Sequence, residues 1–265
     1  MLKAIVNGIK RMYQHYLNKK EFRRMLFDAV SLGRLTDDQM DQLSAKHKEF
    51  SLTDKDIAKV RVKAYILALQ GGTVDGMVSP EEEQELDKIQ HFLKIPDDEI
   101  GYSKERLVKL RLLYEIKAGR LPNAKVNNVV FQKSETPHWA EAADLLEERV
   151  VRRRYEGGSP GMNIHVAKGL NFRIGNRRGH MVSEKEFVSI SAGEFILTNQ
   201  RVIFSGQLKS FALRLDKIIN VEPFSDGINL IDERGKMHLV KYKSNENADV
   251  ITAILSKTIN SFVNR

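Results

Sequence analysis

A cluster of basic side chains gives this sequence its clearest potential for binding chemistry. Residues 149–178 contain eight Lys and Arg but only one acidic residue, Glu156, so the net charge of the stretch is +7. Guanidinium groups bind phosphate through paired hydrogen bonds, and such a set therefore favours a phosphate-bearing or anionic partner. An ordinary basic surface is the alternative interpretation. The set consists of Arg149, Arg152, Arg153, Arg154, Lys168, Arg173, Arg177 and Arg178.

A run of acidic residues after Gly76 is the next candidate site. If Gly76 is placed at the sixth position of a calcium-binding EF-hand loop, Asp75 and Glu82 fall at the fifth and twelfth positions. The first and third positions carry no carboxylate, so the loop lacks its leading ligand. The sequence therefore favours a capped turn between two helices. A weak divalent-metal site formed by Asp75, Ser79 and Glu82 is the alternative.

Signatures of catalysis are weak in this chain. Gly157–Gly161 matches the G-x-S-x-G pattern of hydrolases around Ser159, but Pro160 and the β-rich sequence that follows favour a loop. The chain has no cysteine, which excludes disulfides and thiolate metal sites, and its histidines are scattered. We therefore predict a non-enzymatic protein without a cofactor. A hydrolase that uses Ser159 is the alternative.

The composition describes a globular chain that binds partners. It has 265 residues, 42% hydrophobic and 29% charged, with a net charge of +8. No apolar run approaches the roughly 20 residues of a membrane span, and Lys3 and Lys10 interrupt any secretion signal. We expect a cytoplasmic protein that binds a protein partner or, at the inner membrane face, an anionic surface. Nucleic acid is less favoured, because few aromatic residues accompany the basic ones.

Apolar residues in the first 119 positions recur every three or four residues, which predicts a bundle of six or seven helices. The apolar residues of the first predicted helix form one stripe, which we call the first stripe. A second predicted helix begins near Phe22 and ends at Gly33. We expect the first stripe to pack on the bundle, with binding to an anionic membrane as the alternative. The stripe comprises Leu2, Ile5, Val6, Ile9, Met12, Tyr13, Tyr16 and Leu17.

Capping signals mark the starts of the later helices. Thr36 is followed by Gln39, Thr53 by Asp56 and Ser79 by Glu82, and each pair fits a capping box. Gly33 to Gln39 and Gly76 to Glu82 also share one order of residues. A glycine is followed by an apolar residue, then by a hydroxyl residue that can cap a helix, and then by an amide or acid that can bond back to the capping residue. We infer a repeated turn that buries one apolar side chain and starts a helix. Ser103 is predicted to open the last helix and Gly119 to end it.

The segment Asp75-Gly76-Met77-Val78-Ser79-Pro80-Glu81-Glu82-Glu83, between two apolar helices, resembles TerB-like domains of tellurite-resistance proteins. The resemblance covers roughly residues 20–118. It implies a helical bundle and, for some members, metal-linked or membrane-associated roles in stress responses. A metal- or stress-responsive module is therefore the alternative function.

Short alternating runs after residue 163 predict a β-sandwich or small barrel. Turns are expected at Gly193-Glu194, Asn199-Gln200, Asp226-Gly227 and Glu233–Gly235. Residues 248–262 return to helical spacing, which predicts one amphipathic helix that caps the sheet. Residues 129–131 are predicted as an isolated strand. Residues 139–146 are interpreted as helical, and 147–155 as helix or edge strand.

The run Gly193-Glu194-Phe195-Ile196-Leu197-Thr198-Asn199-Gln200-Arg201-Val202-Ile203-Phe204 resembles a hairpin of bacterial PH-like and GRAM-like domains. This resemblance implies about seven strands and a final helix, and binding of a lipid headgroup or a protein without catalytic residues. We therefore predict an α+β chain: a TerB-like all-α bundle at 1–119, a connector at 120–146, and a PH-like β domain with a C-terminal helix at 147–265. The implied function is that of an adaptor.

Overall fold

Helical periodicity in the first half of the chain produces five α-helices among the described residues. The computed structural model describes residues 2–149, 162–167, 170–174 and 186–263. A short 3₁₀ helix, Asp97–Ile100, precedes the last of the five. The helices are α1 (Leu2–Val30), α2 (Asp37–Glu49), α3 (Asp54–Gly72), α4 (Pro80–Leu93) and α5 (Gly101–Lys117).

The first helix is longer than the sequence predicted. We expected two helices separated near residue 20, but α1 runs without a break for 29 residues. The polar residues between Leu17 and Phe22 include Lys and Glu, which are good helix formers, and neither glycine nor proline interrupts them. The prediction of two helices was therefore wrong: the polar interruption marks a change of helix face.

The predicted caps are present. Thr36, Thr53 and Ser79 each form a capping box with the residue three positions later. Gly33 and Gly76 both have positive φ, a conformation that glycine adopts readily, in the turns that precede α2 and α4. Only the start of α5 differs, because it begins at Gly101 and not at Ser103.

The helical unit, Met1–Tyr114, has a core of its own. Its centre is Tyr65 of α3, whose side chain is fully buried. The apolar residues of the two repeated turns, Leu35 and Val78, are also buried, which confirms the role predicted for them. Burial raises the pKa of the Tyr65 hydroxyl to about 12, helped by the negative charges of Asp87 and Asp97.

The second unit, Glu115–Arg265, contains a seven-stranded antiparallel sheet and a two-stranded hairpin. The order in the large sheet is β6-β5-β4-β1-β9-β8-β7. The strands are β1 (Pro137–Arg149), β2 (Met162–Ala167), β3 (Leu170–Ile174), β4 (Glu186–Thr198), β5 (Arg201–Gly206), β6 (Phe211–Arg214), β7 (Ile218–Phe224), β8 (Gly227–Asp232) and β9 (Met237–Tyr242). The helix α6 (Ala248–Val263) follows.

This arrangement confirms the predicted α+β class, with helices first, then an antiparallel sheet and a final helix. α6 contacts strands β1, β4 and β7, and its Ile251, Ile254 and Leu255 are fully buried. The buried hydroxyls of Thr252 and Thr258 donate hydrogen bonds to carbonyl oxygens one turn earlier in the helix. These polar groups are therefore buried with hydrogen-bond partners. Among the described residues, no helix combines the length and apolarity needed to cross a bilayer.

Three local predictions in the second half were wrong. Residues 139–146 form neither a connector nor a helix: they belong to β1, which pairs with β4 along its length and with β9 at Ala143–Leu146, and residues 147–149 continue this strand, as the strand alternative for 147–155 predicted. Residues 129–131 form no strand. Gly193 lies inside β4 and not in a turn. A Cβ at this position would overlap the carbonyl oxygen of Ser205 on β5. The glycine therefore permits close approach of two strands.

A close approach between the end of α3 and the turn that follows α1 provides a test of packing in the helical unit. A Cβ on Gly71 would overlap the carbonyl oxygen of Ser31. We expect Gly71→Ala to lower the free energy of unfolding of the helical unit by about 1 to 3 kcal/mol, because backbone must move to admit the methyl group. The measurement is urea unfolding followed by far-ultraviolet circular dichroism.

Gly8→Ala is the matched control, because a Cβ at Gly8 in α1 has nothing within 4 Å. Alanine is the better helix former, so this variant should keep or slightly raise the stability. Equal stability of the two variants would contradict the close packing at Gly71.

Candidate functional site

The predicted phosphate site falls largely outside the described residues. Arg149 is the last residue of β1 and Arg173 lies in β3, and nothing is described of either side chain. The other six residues of the set lie outside the described ranges: Arg152, Arg153, Arg154, Lys168, Arg177 and Arg178. Ser159 and its glycine-rich pattern also lie outside them. These candidates remain predictions.

The acidic residues around Gly76 form hydrogen bonds within the turn between α3 and α4. Asp75 accepts a hydrogen bond from the Met77 N–H at 3.1 Å. The Ser79 hydroxyl accepts from the Glu82 N–H at 3.2 Å, and Glu82 accepts in return from the Ser79 N–H at 2.9 Å. The three predicted metal ligands therefore stabilise a turn and a helix start, as the capped-turn interpretation predicted.

Asp75 and Glu82 also line an open depression of about 510 Å³ beside the two repeated turns. Glu81 and Glu85 add negative charge to it, and Arg34 adds one positive charge. Across the part of the chain that the structure describes, no three His, Cys, Asp or Glu side chains gather as metal ligands would.

The hairpin motif that carried the PH-like resemblance has a structural role. Arg201 donates from Nε and Nη2 to the two carboxylate oxygens of Glu135, at 2.8 and 3.0 Å. The Thr198 hydroxyl donates to the same carboxylate at 2.8 Å, and Asn199 accepts a hydrogen bond from the N–H of Thr136. The β4–β5 turn thus holds the segment that leads into β1. We call Glu135, Thr198 and Arg201 the hairpin clamp.

The charged groups of the hairpin clamp are largely buried, so each depends on its partner. The Glu135 side chain has 0% of its surface exposed and that of Arg201 has 17%. Burial alone would raise the pKa of Glu135, but the hydrogen bonds from Arg201, the Gln132 N–H and Thr198 outweigh it and lower the pKa. The carboxylate is therefore ionised and fully paired at neutral pH.

The N-terminal half of α1 presents a continuous apolar surface to solvent. Seven large side chains on one side of this helix are exposed, and the most exposed of them, Met12, has 70% of its surface accessible. We call this surface the α1 stripe. It consists of Ile5, Val6, Ile9, Met12, Tyr13, Tyr16 and Leu17. At 100° per residue the side chains span an arc of roughly 140°.

The other end of α1 shows why the stripe stays exposed. Phe22, Leu26 and Val30 are buried in the core of the helical unit. The same side of the helix continues to His15 and Lys19, which contact the carboxylate of Asp56 on α3 at 3.3 and 2.9 Å. In a regular helix this side lies roughly 110° from the centre of the α1 stripe. Most of the stripe therefore points away from the core to which α1 is anchored.

Packing of the stripe on the bundle, which the sequence favoured, was therefore wrong. The signal that could have revealed this is the step of five residues from Leu17 to Phe22, because helical faces continue through steps of three or four. A five-residue step moves the apolar face around the helix. Because the two runs were predicted as two separate helices, a rotation of the apolar face within one continuous helix was not expected.

The charges around the α1 stripe are almost all positive. Residues 2–24 contain seven Lys and Arg and a single acidic residue, Glu21, and residues 2–17 contain no acidic residue. Lys3 and Lys10 are exposed at the border of the stripe, and Arg11 is exposed on the opposite side of the helix. The arrangement is a basic amphipathic helix, able to bind an apolar surface that carries negative charge.

The geometry defines the class of protein as a two-unit α+β chain with an exposed amphipathic helix. Neither a protein-family model nor a curated protein matches its sequence. Solved structures similar to it include the linker–DH/PH domains of p115-RhoGEF, at 10% identity and a TM-score of 0.28, with 92% of this chain and 70% of that chain covered.

The DH/PH domains of PDZ-RhoGEF in complex with activated RhoA are similar at 8% identity and a TM-score of 0.30, with 83% of this chain and 61% of that chain covered. An activated truncation of Vav1 is similar at 12% identity and a TM-score of 0.29, with coverages of 92% and 61%. This chain spans less than two thirds of the length of the latter two. Identities and TM-scores this low leave its family and function undefined.

The hairpin clamp generates a prediction for the β-rich unit. We expect Glu135→Gln to lower its free energy of unfolding by about 3 kcal/mol, because Arg201 loses its buried counter-charge. Glu233→Gln is the matched control, since Glu233 pairs with Lys217 at 2.7 Å but both side chains are nearly half exposed. The control should change stability little. Urea unfolding followed by Trp139 fluorescence measures both, and equal effects would contradict the clamp.

Acid should weaken the hairpin clamp in a defined direction. The pKa of Glu135 is lowered in the folded chain from its usual value of 4.5. Its contribution to stability is therefore complete above about pH 4.5 and is lost as the pH falls through the folded-state pKa. The stability difference between the wild type and Glu135→Gln should shrink below pH 4.5 in unfolding curves measured across a pH series. A difference that stays constant in acid would contradict the lowered pKa.

Proposed function

We propose that this chain is a non-enzymatic adaptor. In this proposal the β-rich unit binds a protein partner, and the helical unit supplies a second attachment surface, the α1 stripe. The exposure of the α1 stripe is the observation that carries the proposal. Monomeric proteins seldom leave a large contiguous apolar surface open, and such surfaces commonly mark sites of binding.

The organisation of the chain supports an adaptor. Each unit has its own buried core, so each can present a surface without depending on the fold of the other. A seven-stranded antiparallel sheet and a final helix agree with the PH-like resemblance, which implies binding and no catalysis. Two residues of the motif behind that resemblance, Thr198 and Arg201, are engaged within the fold by the hairpin clamp. In this proposal the binding surface of the β-rich unit lies outside this motif.

Photo-crosslinking in living cells tests whether the α1 stripe is a contact surface. The full chain would carry a benzophenone amino acid in place of Tyr13 or, as the matched control, in place of Tyr102, an exposed tyrosine on α5. We expect adducts from position 13 and few from position 102. The proposal is contradicted if position 13 gives no adduct or if both positions give the same adducts.

A further inference from the structure

The occupant of the α1 stripe can be inferred from its shape and charge. We propose that the N-terminal half of α1 lies in the plane of an anionic lipid bilayer surface, with the α1 stripe among the acyl chains and the basic residues at the headgroups. This inference rests on the proposed function, because it takes the stripe to be a contact surface. It adds the chemistry of the contact.

The geometry of α1 suits a surface better than a groove. About 13 residues precede His15, the first of the contacts with Asp56 described above, so about 20 Å of helix extends before that anchor. Peptides that dock in protein grooves present a few anchors at spacings of three, four and seven residues. The α1 stripe is wider and nearly continuous, as in helices that rest on a fluid apolar layer.

The residue types also fit the boundary between headgroups and acyl chains. Tyr13 and Tyr16 combine an apolar ring with a polar hydroxyl, and such side chains concentrate at membrane interfaces. Lys3 and Lys10 border the stripe on the helical projection, where their long side chains can reach the headgroups while the methylene carbons remain in apolar surroundings. Arg11 on the opposite side keeps the helix from sinking into the acyl region.

Charge favours an anionic bilayer over a second copy of this chain. Two copies that paired through their stripes would bring Lys3 and Lys10 of both helices together, and residues 2–17 offer no carboxylate to compensate. Anionic lipids supply negative charge along the whole helix and attract basic residues near the bilayer surface. Lys20, Arg23 and Arg24 extend the same positive field toward the bundle.

Flotation with vesicles tests the inference on the full chain. The probes are vesicles of equal parts phosphatidylglycerol and phosphatidylcholine, and vesicles of phosphatidylcholine alone. We expect the wild type to float with the anionic vesicles, to bind the neutral vesicles at least ten-fold more weakly, and to dissociate as salt is added.

Paired charge substitutions locate the contact. Ile9→Glu with Tyr16→Glu should weaken binding to the anionic vesicles more than ten-fold, because two carboxylates would enter the apolar layer. The matched control is Val108→Glu with Tyr102→Glu, an aliphatic and a tyrosine that are similarly exposed on α5. This control makes the same change in charge and should bind as the wild type does.

A fluorescent label gives a second readout that does not alter charge. Because the chain has no cysteine, single cysteines at Met12 on the stripe and Gln14 on the polar side can each carry an environment-sensitive dye. We expect anionic vesicles to shift the emission at position 12 to the blue and to leave position 14 nearly unchanged. Equal shifts at both positions would contradict the proposed orientation.

The outcomes separate this inference from the proposed function. Absence of flotation with anionic vesicles, or flotation that survives the Ile9→Glu and Tyr16→Glu changes, overturns the inference. If the photo-crosslinks at Tyr13 then join only proteins, the adaptor proposal stands and its occupant is a protein. If Tyr13 gives no adduct of any kind and vesicles are not bound, both proposals fail.

Discussion

A straight α-helix can turn only one side to a given core, and this constraint shapes the whole helical unit. α1 turns the side that carries Phe22, Leu26 and Val30 inward. The paired contacts of His15 and Lys19 with Asp56 fix the same side against α3. Apolar residues on a different side of the same helix must then remain outside. The exposed α1 stripe follows from a rigid element that carries two apolar faces.

The contact with Asp56 is therefore more than a surface ion pair. Asp56 completes the capping box of α3 with Thr53 and also receives His15 and Lys19 from α1. The side-chain and backbone hydrogen bonds of Thr53, then the hydrogen bond from Lys19, lower the pKa of this carboxyl, so it stays ionised at neutral pH. One carboxylate thus caps the start of α3 and joins it to α1, whose rotation is set by the buried Phe22, Leu26 and Val30. The direction in which the stripe faces depends on that rotation.

In the β-rich unit the hairpin clamp plays the corresponding part. β1 is central to the sheet, with β4 on one side and β9 on the other. Glu135 lies just before β1 and is held by Thr198 and Arg201 at the β4–β5 turn. The same motif that resembles PH-like hairpins thereby fastens the start of the central strand. A recognisable sequence motif can report on how a fold is held together, without reporting on a ligand.

Local chemistry alone determined the helix caps, the two positive-φ glycines at Gly33 and Gly76, and the order of helices before strands. These features depend on residues a few positions apart, which a sequence displays directly. Only tertiary structure decided that residues 137–149 form the central strand, that Gly193 admits a neighbouring strand, and that the α1 stripe faces solvent. Each of these depends on residues distant in sequence, such as Ser205 or Asp56. Periodicity shows that a helix has an apolar face, but the contacts of the rest of the chain decide whether the core covers it.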